Sequence, residues 1–387
     1  MRPVTASRIR ATGILALLSV ALLAACGGGG GGSPEASGTL SFTACVIPEG
    51  GAACEATVNW STRNAGAVSV TVDGETLAEG TSGATPLVLS GDVVTVALVD
   101  GTTTLDSARV RGPCETATAW DGSRCTVYAV RLDERANTPF VEDGRAVELE
   151  VVLFKPAGDG PFPTVLFNHG STGDGSDPSL FTITSVSEPV AKFFVDRGWM
   201  VAFPQRRGRG QSDGLYDEGF NADRSFYSCE REIALAGFER AAADAAAALD
   251  WLRGRADVDT TMMVASGVSR GGTLALVHAA RRPDVFLGAV SFVGGWLGEG
   301  CGDYAAVNRG LAVYAAAFPG DTLWLYGNND SFYSVAHSRA NFDAYTAAGG
   351  LGEFRVYTRA PGLNGHFLAN DPGLWGPDVE AYLGALP

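Results

Sequence analysis

The hydrophobic pattern divides the chain into two stretches of different period. Between residues 38 and 114, apolar and polar positions alternate in short runs, among them 56–61, 67–72 and 93–99, and Asp73-Gly74 and Asp100-Gly101 follow the second and third. Alternation puts every second side chain on one face, and Asp-Gly supplies the positive φ that two-residue hairpin turns need. This stretch therefore predicts a small antiparallel β-sandwich. After Cys125 the pattern changes. Strand-like runs at 126–132, 146–154, 164–167, 199–203, 261–265, 286–292, 322–326 and 353–358 are interleaved with helical segments at 189–197, 230–253, from just after Ser269 to 281, and 378–383. The run 164–167 is largely apolar, as in a parallel strand buried on both faces. Strands that alternate with helices predict βαβ units, hence an α/β domain around a mostly parallel, doubly wound sheet.

A shorter pattern precedes both. Arg2, Arg8 and Arg10 form a basic segment, and residues 14–23 an apolar run too short to span a bilayer comfortably. Six glycines at 27–32, then Ser33-Pro34-Glu35, predict a flexible tether. The expected organisation is an export signal over 1–26, a Gly-rich linker over 27–38, the sandwich over 39–114 and the α/β domain over 115–387.

Composition narrows the partners. Among 387 residues, 46% are hydrophobic and 18% charged, which excludes disorder, and 43 acidic against 28 basic residues give a net charge of -15. A field of that sign repels phosphate backbones, so no nucleic acid is expected, and Arg206-Arg207-Gly208-Arg209-Gly210 predicts a loop rather than an RNA-binding patch. The chain has 7 cysteines, and setting aside Cys26 leaves an even number, as in an oxidising compartment. Sequence proximity suggests Cys45 with Cys54 and Cys114 with Cys125, leaving Cys229 with Cys301, out of about fifteen possible connectivities. There is no Cys-x-x-Cys pair, and His169, His278, His337 and His366 lack ligand spacing, so no metal is expected.

Gly267-Val268-Ser269-Arg270-Gly271 has the form G-x-S-x-G, a string that residue frequencies alone produce about 0.4 times in a chain with 51 glycines. Its context carries more: a strand leads straight in and a helix straight out, the geometry that exposes a nucleophilic serine on a strained turn. A serine hydroxyl needs a base to take its proton and a third group to fix that base. Asp330, just past the strand 322–326, and His366, past the strand 353–358, both stand at C-terminal strand ends, where open α/β sheets place their sites. Asp303 and Asp321 are the alternatives to Asp330. The stretch 212–229, with Tyr216, Phe220, Phe226 and Tyr227, is either core or a cap over the site, and a Cys229–Cys301 bond would make it one wall of the pocket.

Together, Asn168-His169-Gly170-Ser171, Gly208-Arg209-Gly210-Gln211-Ser212, the Ser269 turn, Asp330 and His366 resemble the α/β-hydrolase superfamily, in its dienelactone-hydrolase-like and acetyl-esterase or prolyl-oligopeptidase-like branches. The resemblance covers residue 146 to the C-terminus. It implies a serine hydrolase of carboxylic esters acting by acyl transfer, with Ser269, His366 and Asp330 as catalytic residues, the backbone N–H groups of Ser171 and Arg270 as oxyanion donors, and no cofactor. Dienelactone hydrolase itself uses a cysteine nucleophile, so Ser269 shifts the expectation from lactones to small ester substrates or acyl-peptides. The alternatives are an exopeptidase or acyl-peptidase, whose relatives carry a β-propeller for which roughly 75 residues are too few, and a non-catalytic surface binding protein on a hydrolase scaffold. The sandwich, with Trp60 in mid-strand, resembles the immunoglobulin-like modules of exported bacterial proteins. Leu23-Ala24-Ala25-Cys26 resembles the lipobox of bacterial lipoproteins, which implies an exported, membrane-anchored chain lipidated on Cys26, with Gly27 suited to outer-membrane sorting. Cys26→Ala is accordingly expected to abolish metabolic labelling with a radioactive fatty acid, and a still-labelled variant would contradict the anchor.

Overall fold

The computed structural model of the chain describes residues 35–387; the export signal expected over 1–26, with Cys26, and most of the expected linker lie outside the described residues. These residues fall into two compact units that divide between Val127 and Tyr128.

The first unit holds β1 (Ser37–Phe42), β2 (Cys54–Arg63), β3 (Val68–Val72), β4 (Glu75–Glu79), β5 (Ser82–Leu89), β6 (Val94–Asp100) and β7 (Thr103–Val110). They form two antiparallel sheets, ordered β1-β2-β5 and β4-β3-β6-β7. Alternation explains the core. Val58 and Trp60 from β2, Val70 from β3, Leu87 from β5, and Val96 and Leu98 from β6 point inward from both sheets and make one buried cluster. Asp73 and Gly74, both with positive φ, turn β3 into β4, and Gly101 does the same between β6 and β7. The unit runs past residue 114, because a short hairpin, β8 (Thr118–Trp120) and β9 (Cys125–Val127), stays with it. Cys125 is disulfide-bonded to Cys114, and its backbone pairs with Gly50 and Gly51. The run expected as one strand over 126–132 is thereby split.

The second unit is built on β10 (Val130–Glu142), β11 (Arg145–Lys155), β12 (Phe162–Asn168), β13 (Met200–Pro204), β14 (Val258–Val268), β15 (Phe286–Phe292), β16 (Asp321–Gly327) and β17 (Leu351–Tyr357). Their order in the sheet is β10-β11-β13-β12-β14-β15-β16-β17. The pairs β10–β11 and β11–β13 are antiparallel, and every pair from β13–β12 onward is parallel. The helices are α1 (Glu188–Val195), α2 (Arg231–Arg253), α3 (Arg270–Arg281), α4 (Tyr304–Ala315), α5 (Val335–Ala347) and α6 (Pro372–Ala385). This is the α/β-hydrolase fold. Phe167 on β12 packs against Phe203 on β13 and Phe292 on β15, with ring centroids 5.4 and 6.1 Å apart, so aromatic side chains cement the middle of the sheet. The chain leaves β12, β14, β16 and β17 at one end of the sheet, and these exits deliver Asn168-His169-Gly170, Ser269, Asp330 and His366.

Disulfides join Cys45 to Cys54, Cys114 to Cys125 and Cys229 to Cys301. A non-reduced proteolytic digest of the chain should yield these three linked peptide pairs by mass spectrometry; any other pairing would contradict the fold around the cysteines concerned.

Candidate active site

The turn between β14 and α3 is forced by its glycines. Ser269 sits at φ 58°, ψ −123°, a conformation that L-residues avoid and that stores of the order of 1–3 kcal/mol. A β-carbon on Gly271 would lie 2.0 Å from the Asn168 carbonyl oxygen, and one on Gly267 would lie 2.4 Å from the Gly271 carbonyl oxygen and 2.6 Å from that of Asn168. Only hydrogen fits at both positions, so the strand end, the turn and the helix start can touch. Hydrogen bonds hold the strained residue: the Ser269 N–H donates to the Phe292 carbonyl at 2.9 Å, and the Gly272 N–H to the Ser269 carbonyl at 2.9 Å.

Asp330 and His366 come from neighbouring strand ends. The His366 Nδ1 lies 2.9 and 3.0 Å from the two Asp330 carboxylate oxygens. A carboxylate only accepts, so the proton of the neutral ring sits on Nδ1 and the Nε2 lone pair is left as the base. The carboxylate is itself fixed: its Oδ1 accepts the N–H groups of Phe332 at 2.7 Å and Tyr333 at 3.0 Å, and its side chain is fully buried. Asn364 fastens the two loops together, accepting the N–H groups of His366 at 2.9 Å and Ser331 at 3.2 Å. Gly365 passes so close to the acid loop that a β-carbon on it would lie 2.1 Å from the Asn328 carbonyl oxygen. Asp303 precedes α4, and Asp321 opens β16 at the opposite end of that strand, so of the three aspartates it is Asp330 that meets the histidine.

Ser269 and His366 line one cavity of about 410 Å³, together with Gly170, Ser171, Phe332 and Phe367. A β-carbon on Gly170 would stand 3.1 Å from the Ser269 β-carbon, so the loop after β12 runs directly beside the serine. Ser171 follows in that loop, and the Arg270 N–H belongs to the first turn of α3, where helix N–H groups lack intrahelical acceptors. Both donors expected for an oxyanion therefore border the serine. The aromatic stretch after Ser212 does not wall this cavity. Tyr216, Phe220 and Tyr227 are buried in a cluster of their own with Phe181, which is the core alternative, while Phe226 is exposed.

A buried ionic network that the sequence does not announce lies behind the loop after β12 and the start of α3. Glu218, 2% exposed, is bonded to the Arg206 Nε and lies 3.5 Å from an Arg270 guanidinium nitrogen. Arg206 in turn donates to the carbonyls of His169 at 2.9 Å and Gly170 at 3.2 Å, on the loop after β12. The Arg270 guanidinium also donates to the Trp296 and Glu218 carbonyls at 3.0 Å each and lies 3.9 Å from the centre of the Tyr227 ring. One carboxylate thus braces the loop after β12 and the start of α3. Arg206, Arg207 and Arg209 are all buried, with Arg207 paired to Asp244 at 2.6 Å, so the basic run is a structural loop. The signal was present in the sequence as arginines in a loop followed by isolated acids, but spacing alone does not pair them.

The remaining histidines have other tasks. The His169 Nε2 lies 3.3 Å from the Arg206 backbone nitrogen, and its Nδ1 lies 2.7 Å from the Gly170 carbonyl oxygen and 3.0 Å from an Arg206 guanidinium nitrogen. Burial first, then the charges of Arg206 and Arg209, hold His169 well below the usual histidine range, so it stays neutral. His278 lies inside α3 and is pushed down to about 3 by burial and by Arg282 and Arg281. The His337 Nε2 is 3.0 Å from the amide nitrogens of both Asn308 and Asn341. Among the described residues no group of three or more His, Cys, Asp or Glu is placed to hold a metal ion.

The family model described as X-Pro dipeptidyl-peptidase (S15 family) matches residues 143–346, a span that includes Ser269 and Asp330 and stops short of His366. No curated protein matches the chain in sequence. Among solved structures, an acetyl xylan esterase from Paenibacillus sp. R4 is similar at 15% identity over 70% of this chain and 87% of its own, with a TM-score of 0.48. The Pyrococcus furiosus esterase Pf2001 is similar at 15% identity, 67% and 93% coverage and a TM-score of 0.46, and a dienelactone hydrolase-like protein from Klebsiella pneumoniae at 16%, 66% and 99%, and 0.43. Glu218→Ala would strand two buried guanidinium groups and should cost about 3–5 kcal/mol in urea unfolding; a variant as stable as the parent would show that the network does not brace the site.

Proposed function

The chain belongs to the S15, or X-Pro dipeptidyl-peptidase, family, and from that premise we propose that it is a serine hydrolase that cleaves neutral carboxylic esters by acyl transfer. The observation that carries the reading is the Ser269 turn held at positive φ beside a histidine whose Nδ1 is clamped by a buried carboxylate. Ser269 Oγ attacks the substrate carbonyl while His366 Nε2 takes its proton, and Asp330 keeps the ring in that tautomer and steadies the imidazolium. The N–H groups of Ser171 and Arg270 receive the developing oxyanion, each worth about 3 kcal/mol. His366 then protonates the leaving alcohol, and water, activated by the same nitrogen, releases the acid from Ser269.

Ester rather than dipeptide cleavage is favoured by the cavity. Release of an N-terminal dipeptide requires a place for the substrate's free ammonium, which a carboxylate supplies best. No Asp or Glu is found among the described residues that line the cavity, and Phe167, Val186, Phe203 and Val268 make its walls apolar. The family's name keeps the peptidase reading as the second choice. A binding protein on an inert scaffold is disfavoured, because it has no use for a strained serine and a clamped histidine.

The three disulfides accord with an oxidising compartment. The proposal therefore includes export as a Cys26-anchored lipoprotein to the periplasm or cell surface, with an immunoglobulin-like sandwich as the spacer between tether and enzyme.

Hydrolysis of p-nitrophenyl esters from acetate to octanoate, beside X-Pro p-nitroanilides, tests the reading. Esters should turn over, with Ser269→Ala and His366→Ala inactive. Asp330→Asn should fold normally, since its amide oxygen still accepts the loop N–H groups, yet its NH₂ would face Nδ1 and impose the wrong tautomer, lowering kcat roughly ten-thousandfold. Cleavage of the anilides without the esters would establish the peptidase instead.

A further inference from the structure

The Tyr333 side chain has none of the roles above, yet three observations bring it beside the nucleophile. The Gly295 N–H donates to the Ser269 carbonyl at 3.3 Å, which puts Gly295 beside the serine. The Tyr333 ring lies flat against Gly295, with the carbon that bears the hydroxyl only 2.4 Å from where a β-carbon on Gly295 would stand. The hydroxyl approaches the Ser269 side chain. Tyr333 is 3% exposed, its ring centre is 5.7 Å from that of His366, and its N–H is one of the two that fix Asp330.

We propose that Tyr333 is a fourth catalytic residue, whose phenolic O–H donates to Ser269 Oγ while the Ser269 O–H donates to His366 Nε2. The inference rests on the serine-hydrolase reading. Charge accumulates on Oγ at two moments: when His366 withdraws its proton during attack, and when the acyl bond to Oγ breaks during deacylation. A donor aimed at Oγ from outside the substrate cavity stabilises both without touching acyl or alcohol group. No proton leaves the phenol; burial raises it far above its ordinary range, so it stays a donor at every working pH, and the nearby Arg270 charge only partly offsets that. The arrangement also explains why the acid loop carries a bulky residue directly behind Asp330: one segment, 330–333, fixes the histidine through its carboxylate and the serine through its phenol.

The test compares the full chain with Tyr333→Phe and Gly295→Ala, reading kcat and KM on p-nitrophenyl acetate, the second-order rate of labelling by a fluorophosphonate, and thermal melting. Tyr333→Phe keeps the ring and loses only the hydroxyl; about a tenfold loss is expected in both kcat and labelling rate, with KM and melting unchanged. Gly295→Ala displaces the ring while keeping the phenol, and the same kinetic defect is expected from it. A Tyr333→Phe protein that hydrolyses and labels at the parent rate overturns the proposal while leaving the hydrolase reading intact. A defect confined to KM or to melting also overturns it, since that is what a packing role would give. A parent chain that neither hydrolyses nor labels overturns the hydrolase reading and this proposal with it.

Discussion

The Asn168 carbonyl leaves no space for a β-carbon on Gly271 or Gly267, and the rest of the site depends on that close approach. It brings the end of β12, the end of β14 and the start of α3 into backbone contact. With those three segments touching, Ser269 projects from the turn at positive φ, and the loop carrying Gly170 and Ser171 passes beside it. The parallel sheet supplies the rigid frame. The same device recurs two strands away, where Gly365 packs onto the Asn328 carbonyl and closes the acid loop against the histidine loop.

What holds this arrangement is charge kept inside the protein. Arg206, Arg270 and Glu218 are buried behind the loop after β12 and the start of α3, and Arg207 is buried with Asp244. Such pairs add little net stability over apolar packing, but removing one partner is expensive, so they fix geometry more than they strengthen the fold. The cavity in front is different in character, with apolar walls and the hydroxyl-bearing Ser171, Ser185 and Ser187 beside Ser269 in its lining. Charge behind and neutral surface in front is the division expected of a site that stabilises an oxyanion while accepting an uncharged substrate.

The sequence made much of this legible, for physical reasons. Strands such as 286–292 read correctly because short, mostly apolar runs have few other solutions, and α2 read to within a residue because its alanines leave no competing pattern. α4 was not read: its buried Val307, Leu311 and Ala315 share a face, but the exposed Val313 and Tyr314 blur the stripe. α6 was read too short because Pro372 and Pro377 suggest a break, whereas the first sits at the helix start, where a proline costs nothing. For the site, spacing and strand ends gave Ser269, Asp330 and His366, since each stands at a fixed offset from a recognisable strand. Glu218, Arg206 and Tyr333 were not legible, because their partners are far away in sequence and only folding brings them together.

The most direct test of the central claim is to capture the covalent intermediate. Rapid acid quenching of the chain mixed with p-nitrophenyl acetate, followed by peptide mass spectrometry, should place one acetyl group on the peptide containing Ser269 and on its hydroxyl. An acetyl group on another residue, or turnover with no acylated Ser269 even when deacylation is slowed at low pH, would contradict acyl transfer through this serine.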